Sequence, residues 1–344
     1  MTPVLSASIA LGAALVLGVL VPVLAVRLFV PTLRASTRTA AVNYRGAPVF
    51  TGLGTVWLVW AACAILGGGA IGSVLRGETS LVILAITGEM ALVAFSLGLV
   101  DDAFGSSDAR GFRGHLGALR HGRVTTGLIK LAGISLASLV VAFVLAGVSP
   151  WGVDATGAVW TATTVLNAVV AAAAIALTSN LVNLLDLRPG RALKSYLVLG
   201  AAGAFSALFL IGPIAGLPVP ADVVVLDLIV LVAFVVGPAL AVWRYDLGEE
   251  GMLGDAGANA MGAVAGLLVV SGLSLAMLLI YAAAVLALNV LSERVSFSAV
   301  IDRTPWLRCL DELGRLPHES REEAPAASET ERYDAGDDHD SREA

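Results

Sequence analysis

Nine apolar stretches, each close to the length that crosses a bilayer, set the terms on which this 344-residue chain can fold. They run over residues 4–29, 49–70, 80–100, 125–147, 162–180, 195–213, 222–242, 257–273 and 275–292. About 20 apolar residues span a hydrocarbon core as a helix, the form that satisfies its own backbone hydrogen bonds there. The composition agrees: 57% of residues are hydrophobic, 14% are charged and the mean hydropathy is +0.86. That is more apolar surface than a soluble domain of this size needs. The expected fold is an all-α polytopic membrane protein, a bundle of about nine (nine to ten) transmembrane helices. No charged residues precede the first stretch, which is too long for a signal-peptide core, so it reads as a retained helix. Cys63 and Cys309 lie far apart and support neither a disulfide framework nor a thiolate metal site.

Charge orients the bundle. The net charge of −6 misleads, because residues 317–344 hold ten acids against three arginines and leave the rest near neutral. Loops after the first, third, fifth and seventh stretches carry Arg34, Arg38 and Arg45, then Arg110, Arg113, Arg120 and Arg123, then Arg188 and Arg191, then Arg244. The opposite loops hold Arg76 alone. The positive-inside rule then puts the N-terminus outside and the C-terminus in the cytoplasm. Residues 1–293 read as the membrane domain and residues 294–316 as a cytoplasmic interfacial segment mixing apolar and basic residues. Residues 317–344 lack apolar periodicity and read as a disordered acidic tail. The eighth stretch, short and rich in Gly and Ala, is expected inside the bundle.

Three acidic clusters fall on the arginine-rich side. In FSLGLVDDAFG (95–105), Asp101 and Asp102 end an apolar run. Paired acids at a membrane edge are tolerable if they face water and better tolerated if they share a cation. A helix C-terminus disfavours them, which argues against a mere solvated end. Asn180, Asn183 and Asp186, at i, i+3 and i+6, lie on one face if the fifth helix continues through them, suiting a polar ligand or an inter-helix hydrogen-bond network equally. LRPGRALK follows, where Arg188, Arg191 and Lys194 crowd about a helix break and can hold phosphate or touch headgroups. Asp255, in MLGDAGANAMG, opens the eighth helix either as a metal–phosphate site or as its N-cap. Lys130, one turn inside the fourth helix, calls for an acid, and the Asp101/Asp102 site is the expected partner. Glu89 sits about 18 Å further up the third helix and reads as functional or as a bundle-facing hydrogen bond. His115, His121, His318 and His339 show no ligand spacing.

In this order, NYRGAPVFTGLG, GLVDDAFG, TGLIK, NLVNLLD and GDAGANAMG resemble the polyprenyl-phosphate N-acetylhexosamine-1-phosphate transferase family, over about residues 40–293. The family includes the phospho-MurNAc-pentapeptide transferase and the GlcNAc-1-phosphate transferases. The resemblance implies Mg²⁺-dependent transfer of a sugar 1-phosphate from a UDP-sugar to a polyprenyl phosphate at a cytoplasmic-face active site, releasing UMP. It implies that Asp101 and Asp102 are the paired catalytic aspartates, one acting as base or nucleophile, with Lys130 beside them. It makes Asp255 the Mg²⁺ ligand, with Asp102 as the second candidate, and matches Asn183 and Asp186 to the family's middle motif. Asn180, Arg188, Arg191 and Lys194 join the substrate-binding candidates on their own chemistry, the two arginines being additions to the family pattern. The implied partners are a polyprenyl phosphate lipid, a nucleotide sugar and the membrane, not nucleic acid; small-residue helices permit a homodimer.

Departures bear on the donor. The family's middle motif continues as DGxDG, whereas LRPG follows Asp186 and Pro189 stands where the second aspartate belongs. Its His-rich loop is replaced by SERVSFSAVIDRTPWLR, and no further span is expected after it. A non-catalytic relative that binds polyprenyl phosphate therefore stays open beside the enzyme, and a transporter is a third class. Geometry discriminates the first two: acids converging within a metal's reach favour catalysis, whereas an Asp255 that caps its helix and points away favours binding.

Overall fold

A computed structural model describes residues 3–71, 79–105, 111–152, 161–214 and 221–315. Arg76, Arg110 and the acidic tail lie outside the described residues. Helix α1 (3–35), with a π-helical stretch at Ala14–Leu20, leads into strands β1 (Ala40–Val42) and β2 (Pro48–Thr51). Then come α2 (Thr55–Leu66, continued by a π-helical stretch Gly67–Ile71), α3 (Thr79–Phe104), α4 (Gly111–Arg120), α5 (Thr126–Ala146), α6 (Ala162–Leu185), α7 (Arg191–Ile214) and α8 (Ala221–Leu247). Strand β3 (Gly251–Met252), α9 (Gly254–Ser271), α10 (Leu275–Ser292), α11 (Phe297–Arg303) and α12 (Pro305–Glu312) complete the order. The chain is an all-α polytopic membrane protein in which seven described helices are long and apolar enough to cross a bilayer. That is short of the nine expected. The stretch 49–70 begins as a strand rather than a helix, because Gly52 (φ +98°) turns the chain and the helix starts only at Thr55, leaving it short. The stretch 195–213 lies within the 24-residue helix α7, the side chains of whose last turns fall outside the described residues.

Helix α9 is the axis of the bundle. Every residue from Ala256 to Ser271 is buried, and the helix packs against α3, α6 and α7. Small residues permit this. A Cβ on Gly262 would lie 2.6 Å from Ser179 Cα, and one on Gly266 would lie 2.9 Å from the Thr178 side chain. Helices α5 and α10 are mostly exposed and form the lipid-facing wall.

The three short strands were not foreseen and they fix one end of α9. Strand β1 pairs antiparallel with β2, which pairs parallel with β3. The Leu53 and Gly54 N–H groups then donate to the Met252 and Leu253 carbonyls. Gly54 and Gly257 touch backbone to backbone, so the start of α9 is clamped between the hairpin and the end of α3.

Candidate functional site: an acid–lysine junction of three helix ends

The C-terminal end of α3 and the N-terminal ends of α5 and α9 meet on one face of the bundle. Lys130, nearly buried, enters from the first turns of α5. Its ammonium lies 2.7 Å from Asp101 Oδ2 and is also bonded to Asp255 Oδ2. Thr126 donates its hydroxyl to Asp101 Oδ1 at 2.5 Å. Asp101 and Asp255 are near enough to interact directly, and Lys130 offsets the repulsion between them. The expected pairing of Lys130 with the Asp101/Asp102 site thus falls on Asp101, with Asp255 as the second acid.

Asp102 does something else. Its two oxygens accept the N–H groups of Asp255 and Ala256, each at 2.9 Å, so it caps α9 from a neighbouring helix. This resolves the helix-end puzzle in the sequence. The negative end of α3 opposes a carboxylate, but the positive end of α9 receives it. Gly254 (φ +74°) supplies the turn that admits the carboxylate, and a Cβ there would lie 2.8 Å from Asp102 Oδ2. Gly98 supplies the close approach, because a Cβ on it would lie 2.5 Å from the Asp255 carbonyl oxygen and 2.6 Å from Ala256 Cα. Gly98→Ala is therefore expected to push α9 off α3, separate Asp102 from its two donors and destabilise the protein by about 1–3 kcal/mol in thermal unfolding.

Asp255 is not the N-cap of its own helix; that reading is corrected by the Asp102 contacts. As a metal ligand beside Asp255, Asp102 is already committed to two backbone donors, and Asp101 is the acid next to Asp255. Among the described residues, no three His, Cys, Asp or Glu groups are placed to hold a metal unaided. The donor set nevertheless fits Mg²⁺, which takes one or two carboxylates and completes its shell with water and substrate phosphate. Asp101 and Asp255 are hard oxygen donors side by side, already sharing a cation in Lys130.

Asp186 stands just past α6, and it accepts the Gly254 N–H. Burial, then the neighbouring carboxylates of Asp246, Asp255 and Asp102, push its carboxyl well above the usual carboxylate range. A group held this way prefers a proton or a cation close by. Asn180 does not join it. The helix ends at Leu185 and the backbone turns, so the expected single face splits. Asn180 donates to Asn289 Oδ1 at 2.7 Å, and Asn289 donates to the Leu177 and Val285 carbonyls, an amide ladder that binds α6 to α10. Asn183 is half-buried and makes no side-chain hydrogen bond to a described residue.

The basic elbow between α6 and α7 faces the C-terminal helices. Arg188 is bidentate to Asp302 at 3.2 and 2.8 Å. Arg191 is bidentate to Asp311 at 2.6 and 3.1 Å and also donates to Ser298. Lys194 donates to the Leu310 and Asp311 carbonyls at the end of α12. Of the three cations expected to bind substrate, Arg191 is spent on a buried ion pair and Lys194 on a helix end. Arg188, itself paired with Asp302, borders a shallow groove with Asn43, Tyr44, Asp186, Asp246 and Glu249. Tyr44 lies under its guanidinium, 5.0 Å from ring centre.

Sequence reasoning missed Asp246, which accepts the Gly190 N–H at 2.7 Å, and Glu249, which gathers Asn43, Tyr44 and Arg45. Both stand in WRYDLGEEG, an acid-rich span end just ahead of GDAG and the signal that could have found them. Glu89 does not face the bundle: Gly88 takes the contact with α2 and leaves Glu89 exposed on the outer side of α3.

The fold and this junction define a class, an all-helical multi-pass membrane protein with an acid–lysine cluster where three helices end. The chain matches no protein-family model, and no curated protein matches it.

Proposed function

We propose that the protein is a Mg²⁺-dependent phosphoglycosyl transferase of the plasma membrane, moving a sugar 1-phosphate from a nucleotide sugar, of the UDP class, to a polyprenyl phosphate for a cell-envelope polymer. The observation that carries the reading is Lys130 held between Asp101 and Asp255, beside an Asp102-capped helix N-terminus. An oxygen of the lipid phosphate attacks the β-phosphorus of the donor. The bond from that phosphorus to the bridging oxygen breaks, and UMP leaves with the oxygen. Both reactants are anions, so the step needs charge neutralisation and in-line positioning above all. Lys130 can exchange a carboxylate for a phosphate oxygen. The N-terminal end of α9, whose first N–H groups Asp102 and Asp186 already hold, adds the positive end of a helix dipole beside it. Asp101, fixed by Thr126 and Lys130, orients the attacking phosphate and takes its proton where it carries one. Asp101 and Asp255 would hold Mg²⁺, which supplies further charge neutralisation on the transferring group. Arginine-rich loops on this side support a cytoplasmic site, with the N-terminus outside.

One observation favours a second reading, a non-catalytic relative that binds polyprenyl phosphate. Arg191 and Lys194 are occupied by the chain's own C-terminal segment, and Pro189 replaces an acid. UMP release by the purified full-length protein, given undecaprenyl phosphate, Mg²⁺ and a panel of UDP-sugars, separates the two. Turnover is expected, with a loss of about 10³-fold or more in Asp101→Asn and in Asp255→Asn. Silence across the panel, with lipid phosphate still bound, would remove the transferase reading and leave the binding one.

A further inference from the structure

The C-terminal helix pair is polar on the side that meets the protein and apolar on a side left exposed by the described residues. Asp302 and Asp311 point inward to Arg188 and Arg191, while Trp306, Leu310 and Leu313 are 64%, 53% and 65% exposed. At 100° per residue Trp306, Cys309 and Leu310 share one face of α12, with Leu313 just past its end, while Leu307 and Asp311 share a second face and Arg308 and Glu312 a third. A two-faced helix on a water-exposed surface buries its apolar side against the protein. This one has the reverse arrangement plus a separate charged face, as a helix lying at a lipid–water boundary requires.

We infer that α11 and α12 form a membrane-surface clamp: the Trp306–Leu310–Leu313 face enters the headgroup region of the bilayer while Asp302 and Asp311 grip the elbow between α6 and α7. Continuity identifies lipid as the occupant. Helix α10 is a lipid-facing span whose exposed apolar residues run on through Val290, Leu291 and Val295, and only residues 293–296 separate it from α11. Arg294 and Arg303, both exposed, flank the stripe and match anionic headgroups. Through the two ion pairs, the clamp holds Arg188 at a fixed height above the lipid.

Cys309 is exposed within the stripe and Cys63 is buried, so an environment-sensitive bimane placed on Cys309 of the full-length protein reads the face directly. The protein is reconstituted in phosphatidylethanolamine–phosphatidylglycerol nanodiscs carrying lipids spin-labelled near the headgroup. Expected are blue-shifted emission, quenching by the spin label of about twofold or more, and protection from aqueous iodide. Trp306→Ser with Leu310→Ser should lose the quenching while leaving the thermal unfolding of the bundle in place. Emission that is red-shifted and quenched by iodide alone would overturn the proposal. So would protection from both quenchers, which would mean that protein, a second copy included, covers the face. Because bimane itself is apolar, unlabelled Cys309 is also tested with a charged maleimide: slower modification in nanodiscs than in the double variant is expected, and equal rates would overturn the proposal.

Discussion

Lys130→Met is expected to lower the stability of the protein by about 3–5 kcal/mol, the cost of removing one partner from a buried charge cluster. The side chain keeps its length and apolar stem, so the change isolates the charge. Asp101 and Asp255 would then face each other across the junction of α3 and α9 without the ammonium that both now contact. The helices are packed through Gly98 and cannot separate cheaply to admit water. Thermal unfolding in detergent reads the effect. Lys130→Met with Asp255→Asn should recover most of the loss, since one acid remains and Thr126 still serves it. Transferase activity should stay absent in both. A single variant that melts with the parent protein would show that the cluster does not hold the three helix ends together.

Arg191→Met should be the next largest loss, about 3 kcal/mol, felt in the C-terminal helices rather than the bundle. Both partners of the Arg191–Asp311 pair are 5% exposed, so the abandoned carboxylate stays largely dry. Arg315 remains 2.7 Å from Asp311 Oδ2, which keeps the cost toward the lower end. Hydrogen exchange over residues 297–312 should rise at pH 7 in the variant. Wild type should show the same opening only in acid. Burial pushes the Asp311 carboxyl up, but the hydrogen bonds and charge of Arg191 outweigh it and hold the group below the usual carboxylate range. Its stabilisation is therefore complete above the unfolded value of about 3.9 and is lost as pH falls through the lower folded value. Exchange unchanged by the substitution at pH 7 would show that the pair does not anchor the segment.

The apolar stretches alone determined a helical membrane protein, because twenty or so residues without charge have few other stable forms in a bilayer. Even the burial of α9 was legible, since glycine and alanine on every side leave little to offer lipid and allow close packing. The sequence also marked Asp101, Lys130 and Asp255 as expensive groups that needed partners. What it could not assign was which partner each would take. Asp101 and Asp102 are adjacent and chemically identical, yet successive helical positions differ by 100°, so one turns to Lys130 and the other to the first N–H groups of α9. Asn180 and Asp186 lie six residues apart, yet a helix end sends one to an amide ladder and the other to the acid cluster. Arg191 reads like any phosphate-binding arginine until Asp311, 120 residues later, is seen folded over it. Local pattern fixes which groups must be satisfied; only the tertiary structure, by bringing distant helix ends within 3 Å, decides which group satisfies each.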